Sequence, residues 1–323
     1  MEDAPRTYTN PVGAGVRMGD PFVARFGETY YLTGTTDAGA GFRHWTSPDL
    51  VTWREGGFLY RRDDRSWGRG SFWAPELFTR DGRYYLVYSS SGPARAGAKP
   101  EFRVCLAVAD EPAGPYRDLH APWCDPGRAC IDGHVFQDTD GRAYLYYARV
   151  GVQEHPVHKL VARGYGVALA PDLSGPDGDH VPCTQVDRAW EMPPEGRSHC
   201  TEGLFVFREG ARYYVTYSVN HYAEPFYGVG YATAGHPLGP WRKPDDNRLL
   251  LRDEALRVSG PGHSCVVRSP DGRERFIVYH AHADPDAPGG ARTVNIDRLD
   301  VEPDGTLRVR GPTRQPQPLP SGA

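Results

Sequence analysis

The feature that most constrains the fold is a short pattern that recurs five times along the 323-residue chain. Each copy has a glycine-containing turn followed by a run of aromatic and β-branched residues. A turn of this kind allows the positive φ of a tight hairpin, and the run after it is typical of a β-strand. The pattern therefore predicts five similar hairpins. Their turns begin at Gly27, Asp81, Asp140, Gly210 and Asp271.

The spacing of the copies indicates how many strands each repeat contains. Equivalent aromatic residues are separated by 54, 60, 69 and 63 residues: Tyr30, Tyr84, Tyr144, Tyr213 and Phe276. A period of this length suits a four-stranded propeller blade with long loops better than a helical repeat. The sequence predicts an all-β fold, a five-bladed β-propeller with four-stranded antiparallel blades, as a single domain over residues 1–312. The proline-rich segment 313–323 is expected to be an extended C-terminal tail.

Charge and hydrophobicity exclude several classes of partner. The chain carries 37 basic and 41 acidic side chains, which are scattered and give a net charge of −4. Without a basic patch, we expect no nucleic acid or anionic membrane partner. No run of about 18 apolar residues occurs, so no membrane span is expected. The first residues lack the basic start and apolar run of a signal peptide. This favours a cytoplasmic protein, or a secreted one whose signal peptide has been removed.

The six cysteines do not decide the redox compartment, because pairing cannot be deduced from sequence alone. Two close pairs are candidate disulfides, Cys124 with Cys130 and Cys183 with Cys200. The other two, Cys105 and Cys265, lie in apolar strand-like runs and are expected to be buried thiols.

A polar residue precedes each predicted hairpin, at offsets of 10, 8, 12, 11 and 13 residues from the aromatic markers. The inner strands of a propeller surround its central channel, so these five residues are expected to occupy equivalent positions in one ring. Grouped carboxyl groups raise one another's pKa values, and such groups concentrate at functional sites. One acid beside a turn commonly only caps it, but five in phase favour a site. The predicted ring is Asp20, Glu76, Asp132, Glu202 and His263.

Glycoside hydrolysis is a chemistry that suits such a ring. It needs two carboxyl groups in opposite protonation states, one to protonate the leaving oxygen and one to activate water or attack carbon. Their surroundings must separate the two pKa values. A third acid beside the proton donor helps to keep that donor protonated.

The motifs around these acids resemble those of glycoside hydrolase family 43, which contains arabinanases, α-L-arabinofuranosidases and β-xylosidases. The resemblance extends from about residue 10 to residue 312. Its motifs are Asp20-Pro21, the run from Phe72 to Glu76, Ile131-Asp132, Glu202-Gly203, the run from Gly260 to Ser264, and Arg292.

The resemblance implies a five-bladed propeller and an inverting mechanism. Asp20 would be the general base, Glu202 the general acid, and Asp132 the acid that keeps Glu202 protonated and binds the sugar. In an inverting enzyme the base and acid lie about 6.5–9.5 Å apart. Two departures from the family pattern bear on the sugar pocket: Gly133-His134 follows Asp132, and Leu204 follows Gly203.

Other residues are candidates for binding the sugar. Trp73 is predicted either as an apolar platform for a sugar ring or as a core residue. Glu76, Arg292, Tyr222 and His263 are further candidate substrate-binding residues. His263 is also the one candidate for helping to hold a structural Ca²⁺ in the central channel, as in arabinanases of this family, although Ca²⁺ prefers oxygen ligands. No cofactor is expected to be required.

The leading hypothesis is an exo-acting α-L-arabinofuranosidase acting on arabinose-containing oligo- or polysaccharides. A β-D-galactofuranosidase, a β-xylosidase and an endo-arabinanase remain open, because the loops that shape the pocket are not predicted. A glycoside phosphorylase would need a cluster of basic side chains near the motifs, which the sequence does not show. A carbohydrate-binding propeller without activity is disfavoured by the presence of all three acids.

Overall fold

The structure, a computed structural model, describes residues 6–93, 101–152 and 160–323. The expectation about a signal peptide concerns residues that lie partly outside this range. The protein is all-β, and within the described residues the helical element is a single 3₁₀ turn, Ala189–Glu191. No helix among the described residues has the length and apolar character needed to cross a bilayer.

The strands form five consecutive four-stranded units, preceded by a short strand β1 (Thr7–Tyr8). The first unit contains β2 (Gly19–Phe26), β3 (Thr29–Thr35), β4 (Gly41–Ser47) and β5 (Arg54–Arg61). The second contains β6 (Gly70–Arg80), β7 (Arg83–Ser91), β8 (Phe102–Ala109) and β9 (Arg117–Cys124). The third contains β10 (Ala129–Gln137), β11 (Ala143–Val152), β12 (Leu160–Ala168) and β13 (Val181–Thr184).

The fourth unit contains β14 (His199–Glu209), β15 (Arg212–Val219), β16 (Gly228–Ala234) and β17 (Arg248–Leu250). The fifth contains β18 (Gly262–Arg268), β19 (Arg275–His282), β20 (Arg292–Val301) and β21 (Leu307–Val309). Successive strands within each unit pair antiparallel. The third and fourth units also share a short parallel pairing between β12 and β14. The five predicted hairpins are the first two strands of each unit.

The first strands of the units surround a common centre. β2 contacts β6, β6 contacts β10, β10 contacts β14, β14 contacts β18, and β18 contacts β2 again. The side chains that precede the predicted hairpins are therefore brought to the middle of the molecule, although they are distant in sequence.

A buried tyrosine near the end of the second strand recurs in four units. Each of the four is almost fully buried, and its hydroxyl group bonds to a polar side chain, as a buried tyrosine requires. The partners are Asp118 for Tyr88 (2.5 Å), His180 for Tyr147 (2.9 Å), Glu191 for Tyr217 (2.6 Å) and Asp297 for Tyr279 (2.6 Å). These bonds fix the second strands, whose next residues face the centre.

The two ends of the described chain meet. Segment 313–323, predicted as a tail, contains a short strand, β22 (Gln317–Pro318), which pairs antiparallel with β1. Thr313 Oγ1 donates a hydrogen bond to Asp297 Oδ1 at 2.5 Å, and Arg314 Nη1 donates one to Asn295 Oδ1 at 2.6 Å. The segment is therefore attached to the fifth unit.

Neither candidate disulfide is formed in the structure, where all six cysteines are free. Cys124 and Cys130 are buried together, and the Cys130 thiol lies 3.4 Å from the Cys124 carbonyl oxygen. Cys183 and Cys200 lie on β13 and β14, which pair with β12 at different points, Gly164–Gly166 and Val161–Ala162. Cys105 and Cys265 are buried, as predicted.

Candidate active site

The first strand of every unit is interrupted by a β-bulge. At each bulge the antiparallel register shifts, and one residue adopts a left-handed backbone conformation that turns its side chain or backbone toward the centre. These residues are Asp20 (φ 53°), Ala74 (φ 44°), Asp132 (φ 57°), Gly203 (φ 56°) and His263 (φ 48°). β6 has a second register shift, with Ser71 (φ 54°) also left-handed.

The positions of the bulges show that the five predicted ring residues are not all structurally equivalent. Asp20, Asp132 and His263 occupy the same position in their units. Glu202 lies one residue before that position, in register with Trp73 and opposite Ser218. Glu76 lies two residues after it, opposite Val87. The prediction of strict equivalence is therefore wrong for Glu76 and Glu202, because counting from the hairpin turn does not register where the bulge falls.

A pocket with a volume of about 360 Å³ lies over the centre of the ring. The predicted acids Asp20, Asp132 and Glu202 line it together. His263, Arg292, Trp73 and Tyr222 also line it, as do Phe102 and His221. The pocket therefore combines three carboxyl groups with an aromatic wall, which suits a ligand that has both hydroxyl groups and apolar ring faces.

Asp20 is held by positive charge and hydrogen bonds. Arg292 Nη1 lies 3.0 Å from Asp20 Oδ1, and the Thr35 hydroxyl donates to Asp20 Oδ2 at 2.6 Å. Burial by itself raises the pKa of Asp20, but Arg292, His263, His280 and the Thr35 hydrogen bond outweigh it and lower that pKa below its usual range. Asp20 is therefore ionised at neutral pH.

A glycine allows Arg292 to approach Asp20. A Cβ atom at Gly19 would overlap the Arg292 guanidinium group. The other side of that group lies over the Tyr222 ring, 4.7 Å from its centroid. Arg292 is thus fixed between the Asp20 carboxylate and the half-exposed Tyr222 ring.

Glu202 has the opposite electrostatic environment. Burial and the nearby charge of Asp20 raise its pKa to about 7, against the lowering effect of a hydrogen bond from Tyr227 and of the Arg292 charge. The Tyr227 hydroxyl donates this bond to Glu202 Oε1 at 2.9 Å. Glu202 therefore carries a proton over much of the acidic to neutral range.

Asp132 forms a coupled pair with Glu202. Burial, followed by repulsion from Glu202 and Asp20, raises the pKa of Asp132 well above its usual value. A backbone N–H opposes this shift, since Gly203 N donates to Asp132 Oδ2 at 3.3 Å. The two buried carboxyl groups resist double ionisation, so the pair retains a proton that neither isolated group would keep.

Glu76 does not line the pocket. Its Oε2 atom lies 2.7 Å from His134 Nδ1, and His134 Nε2 lies 3.2 Å from the Val206 carbonyl oxygen. Its carboxylate still affects the pKa values of Asp132 and His263. Glu76 and His134 therefore form a polar pair outside the pocket lining. The residues at the two departures from the family pattern, Gly133, His134 and Leu204, do not line the pocket either.

His263 contacts the carboxylate of Asp20, with its Nδ1 atom 3.3 Å from Asp20 Oδ1. Burial lowers the pKa of its ring, so the imidazole is mainly neutral at neutral pH. Within the described residues, no group of three or more His, Cys, Asp or Glu side chains is arranged to hold a metal ion. A structural Ca²⁺ in the central channel, with His263 helping to hold it, stays a prediction.

Trp73 and Phe102 form the aromatic wall of the pocket. Their rings stack with centroids 4.8 Å apart at an interplanar angle of 22°. Trp73 is partly exposed and lines the pocket, so it is not a core residue of its sheet. The position fits a platform for the C–H face of a sugar ring.

Three neighbours of the acids were not predicted as site residues: Thr35, Phe102 and His280. Thr35 and His280 lie at the ends of second strands, and their roles depend on which unit comes next around the centre. Their similar offsets from the start of the hairpin turn, 8 residues from Gly27 to Thr35 and 9 residues from Asp271 to His280, are the one sequence signal that could have identified them.

The sequence matches the model of glycosyl hydrolases family 43 over residues 8–307. The chain belongs to this family. It is therefore a glycosidase with a carbohydrate substrate, as the resemblance of its motifs predicts. A thermostable family-43 glycoside hydrolase of known structure is 40% identical, covering 98% of this chain and all of the other, with a TM-score of 0.91.

Relatives of this family-43 chain have different named specificities. A β-D-galactofuranosidase from Aspergillus niger is 29% identical over 90% of the chain and 81% of its own length. An α-L-arabinofuranosidase from Humicola insolens is 26% identical over 82% of the chain and 51% of its own length. The chain thus spans about half of this second relative.

Proposed function

We propose that the protein is an inverting glycosidase in which Asp20 is the general base, Glu202 the general acid and Asp132 the modulator of the Glu202 pKa. The observation that carries this proposal is the opposite electrostatic environment of Asp20 and Glu202 in one pocket. Arg292 and Thr35 stabilise the Asp20 carboxylate, whereas Glu202 has a pKa of about 7. This separation is what acid–base catalysis of glycoside hydrolysis requires.

The reaction would proceed in one displacement. Asp20 accepts a proton from a water molecule, whose oxygen attacks the anomeric carbon from the face opposite the leaving group. Glu202 gives its proton to the glycosidic oxygen as the bond to the anomeric carbon breaks. The products are a sugar of inverted configuration and a free hydroxyl on the leaving group. The ring of five first strands supports assigning the five units as the blades of one five-bladed propeller.

We infer an exo-acting α-L-arabinofuranosidase as the first candidate activity. A β-D-galactofuranosidase is the second candidate, and it is favoured by a relative that matches 90% of this chain and 81% of its own length. The two furanosides have the same ring configuration and differ by an exocyclic hydroxymethyl group.

Arg292 is the one Lys or Arg side chain among the described lining residues, which gives no support to a phosphorylase with a cluster of basic side chains.

A panel of nitrophenyl glycosides tests the proposal. Wild type, Asp20→Ala and Glu202→Ala would be assayed on α-L-arabinofuranoside, β-D-galactofuranoside and β-D-xyloside. We expect wild type to hydrolyse a furanoside fastest, and both variants to lose at least about a hundredfold in kcat on a substrate with a poor leaving group. Asp20→Asn and Glu202→Gln, which keep the side-chain size, separate loss of the carboxyl chemistry from general damage to the pocket. Full activity of Glu202→Ala on such a substrate would refute its assignment as the acid.

A further inference from the structure

The bulges of the five first strands are linked by a ring of hydrogen bonds. In four units, the backbone N–H of the left-handed residue donates to a side chain at the end of the second strand of the preceding unit. The bonds are Ala74 N to Thr35 Oγ1 (3.0 Å), Asp132 N to Ser89 Oγ (2.8 Å), His263 N to Ser218 Oγ (2.7 Å) and Asp20 N to His280 Nδ1 (3.1 Å).

The acceptors occupy one structural position. Thr35, Ser89, Ser218 and His280 each pair with the residue that precedes the bulge of their own unit. In each of these four units, the side chain at this position therefore accepts a hydrogen bond from a buried backbone N–H group of the next unit.

The third unit breaks the pattern. Ala148 occupies the equivalent position, opposite Ile131, and its methyl group cannot accept a hydrogen bond. The N–H group that it would otherwise satisfy belongs to Gly203, the residue after Glu202. This N–H donates instead to the side chain of Asp132, with 3.3 Å between Gly203 N and Asp132 Oδ2. Among the described residues, it is the one hydrogen-bond donor to the Asp132 carboxyl group.

We propose that Ala148 is a positioning residue, which, by offering no acceptor, commits the Gly203 N–H to Asp132 and so shifts the balance of the Asp132–Glu202 pair toward ionised Asp132 and protonated Glu202. This inference rests on the proposed function, since it explains how Glu202, the proposed general acid, comes to carry its proton. A hydrogen bond to a carboxylate favours its ionised form. Because Asp132 and Glu202 share a proton, an ionised Asp132 leaves that proton on Glu202.

The other groups around Asp132 do not supply this bias. Glu202, Asp20 and Glu76 are acids, and their charges favour protonated Asp132. Burial, together with the negative charge of Asp132, raises the pKa values of Tyr227 and Cys200, so both groups stay neutral beside Asp132. The Gly203 N–H is thus the group that opposes protonation of Asp132.

The substitution Ala148→Ser tests the proposal, because it restores the hydroxyl group found at the equivalent positions. We expect the new hydroxyl to accept the Gly203 N–H and weaken its bond to Asp132. The apparent pKa of the coupled pair should then rise by about one unit, and kcat should fall about tenfold because less enzyme carries the proton on Glu202. Both would be measured from the pH dependence of hydrolysis.

Nuclear magnetic resonance gives a readout that needs no activity. Combined ¹³C-carbonyl glutamate and ¹⁵N-glycine labelling selects the four Glu–Gly pairs of the sequence, at Gly56, Gly196, Gly203 and Gly210. Gly203 is the one buried glycine of the four, so we expect its amide to exchange slowest. In wild type its amide shift should follow the titration of Asp132, and this titration should disappear in both Asp132→Asn and Ala148→Ser.

Ala148→Cys is the matched control. Its thiol is larger than a hydroxyl but a weak acceptor, so the Gly203 titration and the pH profile should stay close to those of wild type. Equal effects of Ser and Cys would indicate steric disturbance and overturn the proposal. A Gly203 amide that does not titrate in wild type, or still titrates in Asp132→Asn, would also overturn it. Absence of hydrolysis in wild type with an intact Gly203 titration would instead count against the proposed function.

Discussion

At the scale of single residues, two carboxyl groups in one pocket differ because their neighbours differ. Asp20 faces the Arg292 guanidinium and the Thr35 hydroxyl. Glu202 is buried near other acids and receives one hydrogen bond from Tyr227. Charge and burial, rather than residue type, thus decide which group is ionised at neutral pH.

The pH dependence of hydrolysis follows from these neighbours. Because the pKa of Glu202 is about 7, kcat/KM should fall as the pH rises through about 7 and the acid loses its proton. The pKa of Asp20 lies below its usual range, so the base stays ionised down to low pH. A pH–rate profile with a substrate that needs acid assistance checks this. An alkaline limb that persists unchanged in Glu202→Gln would contradict the assignment.

The three acids could be predicted from sequence because each lies in a short motif next to a recognisable hairpin. Their partners could not. Thr35 and His280 reach Asp20 from strands of the first and fifth units, and the ring closure that brings them together is a property of the whole fold. Glu76 was predicted to bind substrate, but its carboxylate is directed to His134.

At the scale of elements, the bulge is the feature that organises the site. It places a left-handed residue in each first strand, and β6 has a second one at Ser71. The bulge leaves a buried backbone N–H group that the paired second strand of the same unit does not satisfy. The hairpins were predictable from their turns and aromatic runs. The bulge positions were not, because the offset between the predicted ring residue and the aromatic marker varies from 8 to 13 residues and no local signal marks the extra residue.

Removing one of the bulge acceptors should cost stability. Ser218→Ala leaves the buried N–H of His263 without its partner, a loss of about 1–3 kcal/mol in the free energy of unfolding. Ser264→Ala is a matched control, because its hydroxyl lies at 3.5 Å from Thr216 Oγ1 and makes a weaker bond. Urea denaturation of the two variants measures both values. Equal stability of Ser218→Ala and wild type would show that the bulge bonds are unimportant.

At the scale of the whole molecule, the first strands form a closed ring and the two chain ends are tied together beside the fifth unit. The repeat period predicted the number of strands in each unit. It did not predict that segment 313–323 would pair with the first strand, because the segment has no repeat pattern and its partner strand β1 lies at the other end of the chain. Its contacts include Thr313 with Asp297, Arg314 with Asn295 and Ser321 with Glu274.

Deletion of residues 313–323 should therefore destabilise the protein. Several buried or half-buried hydrogen bonds and the packing of Leu319 would be lost, which should lower the free energy of unfolding by about 3 kcal/mol or more. Gln315→Ala, at an exposed position in the same segment, should change stability by less than about 0.5 kcal/mol. Thermal and urea unfolding would compare the two. Unchanged stability of the truncated chain would show that the segment does not hold the ends together.

The central claim is a single displacement with Asp20 as base and Glu202 as acid, and the configuration of the first-formed sugar tests it most directly. Proton NMR can follow hydrolysis of the preferred nitrophenyl furanoside before the product mutarotates. The account predicts that the first anomeric signal belongs to the inverted sugar, for example the β anomer from an α-L-arabinofuranoside. A first signal from the anomer of retained configuration would contradict it, because retention requires a covalent intermediate and a nucleophilic carboxylate.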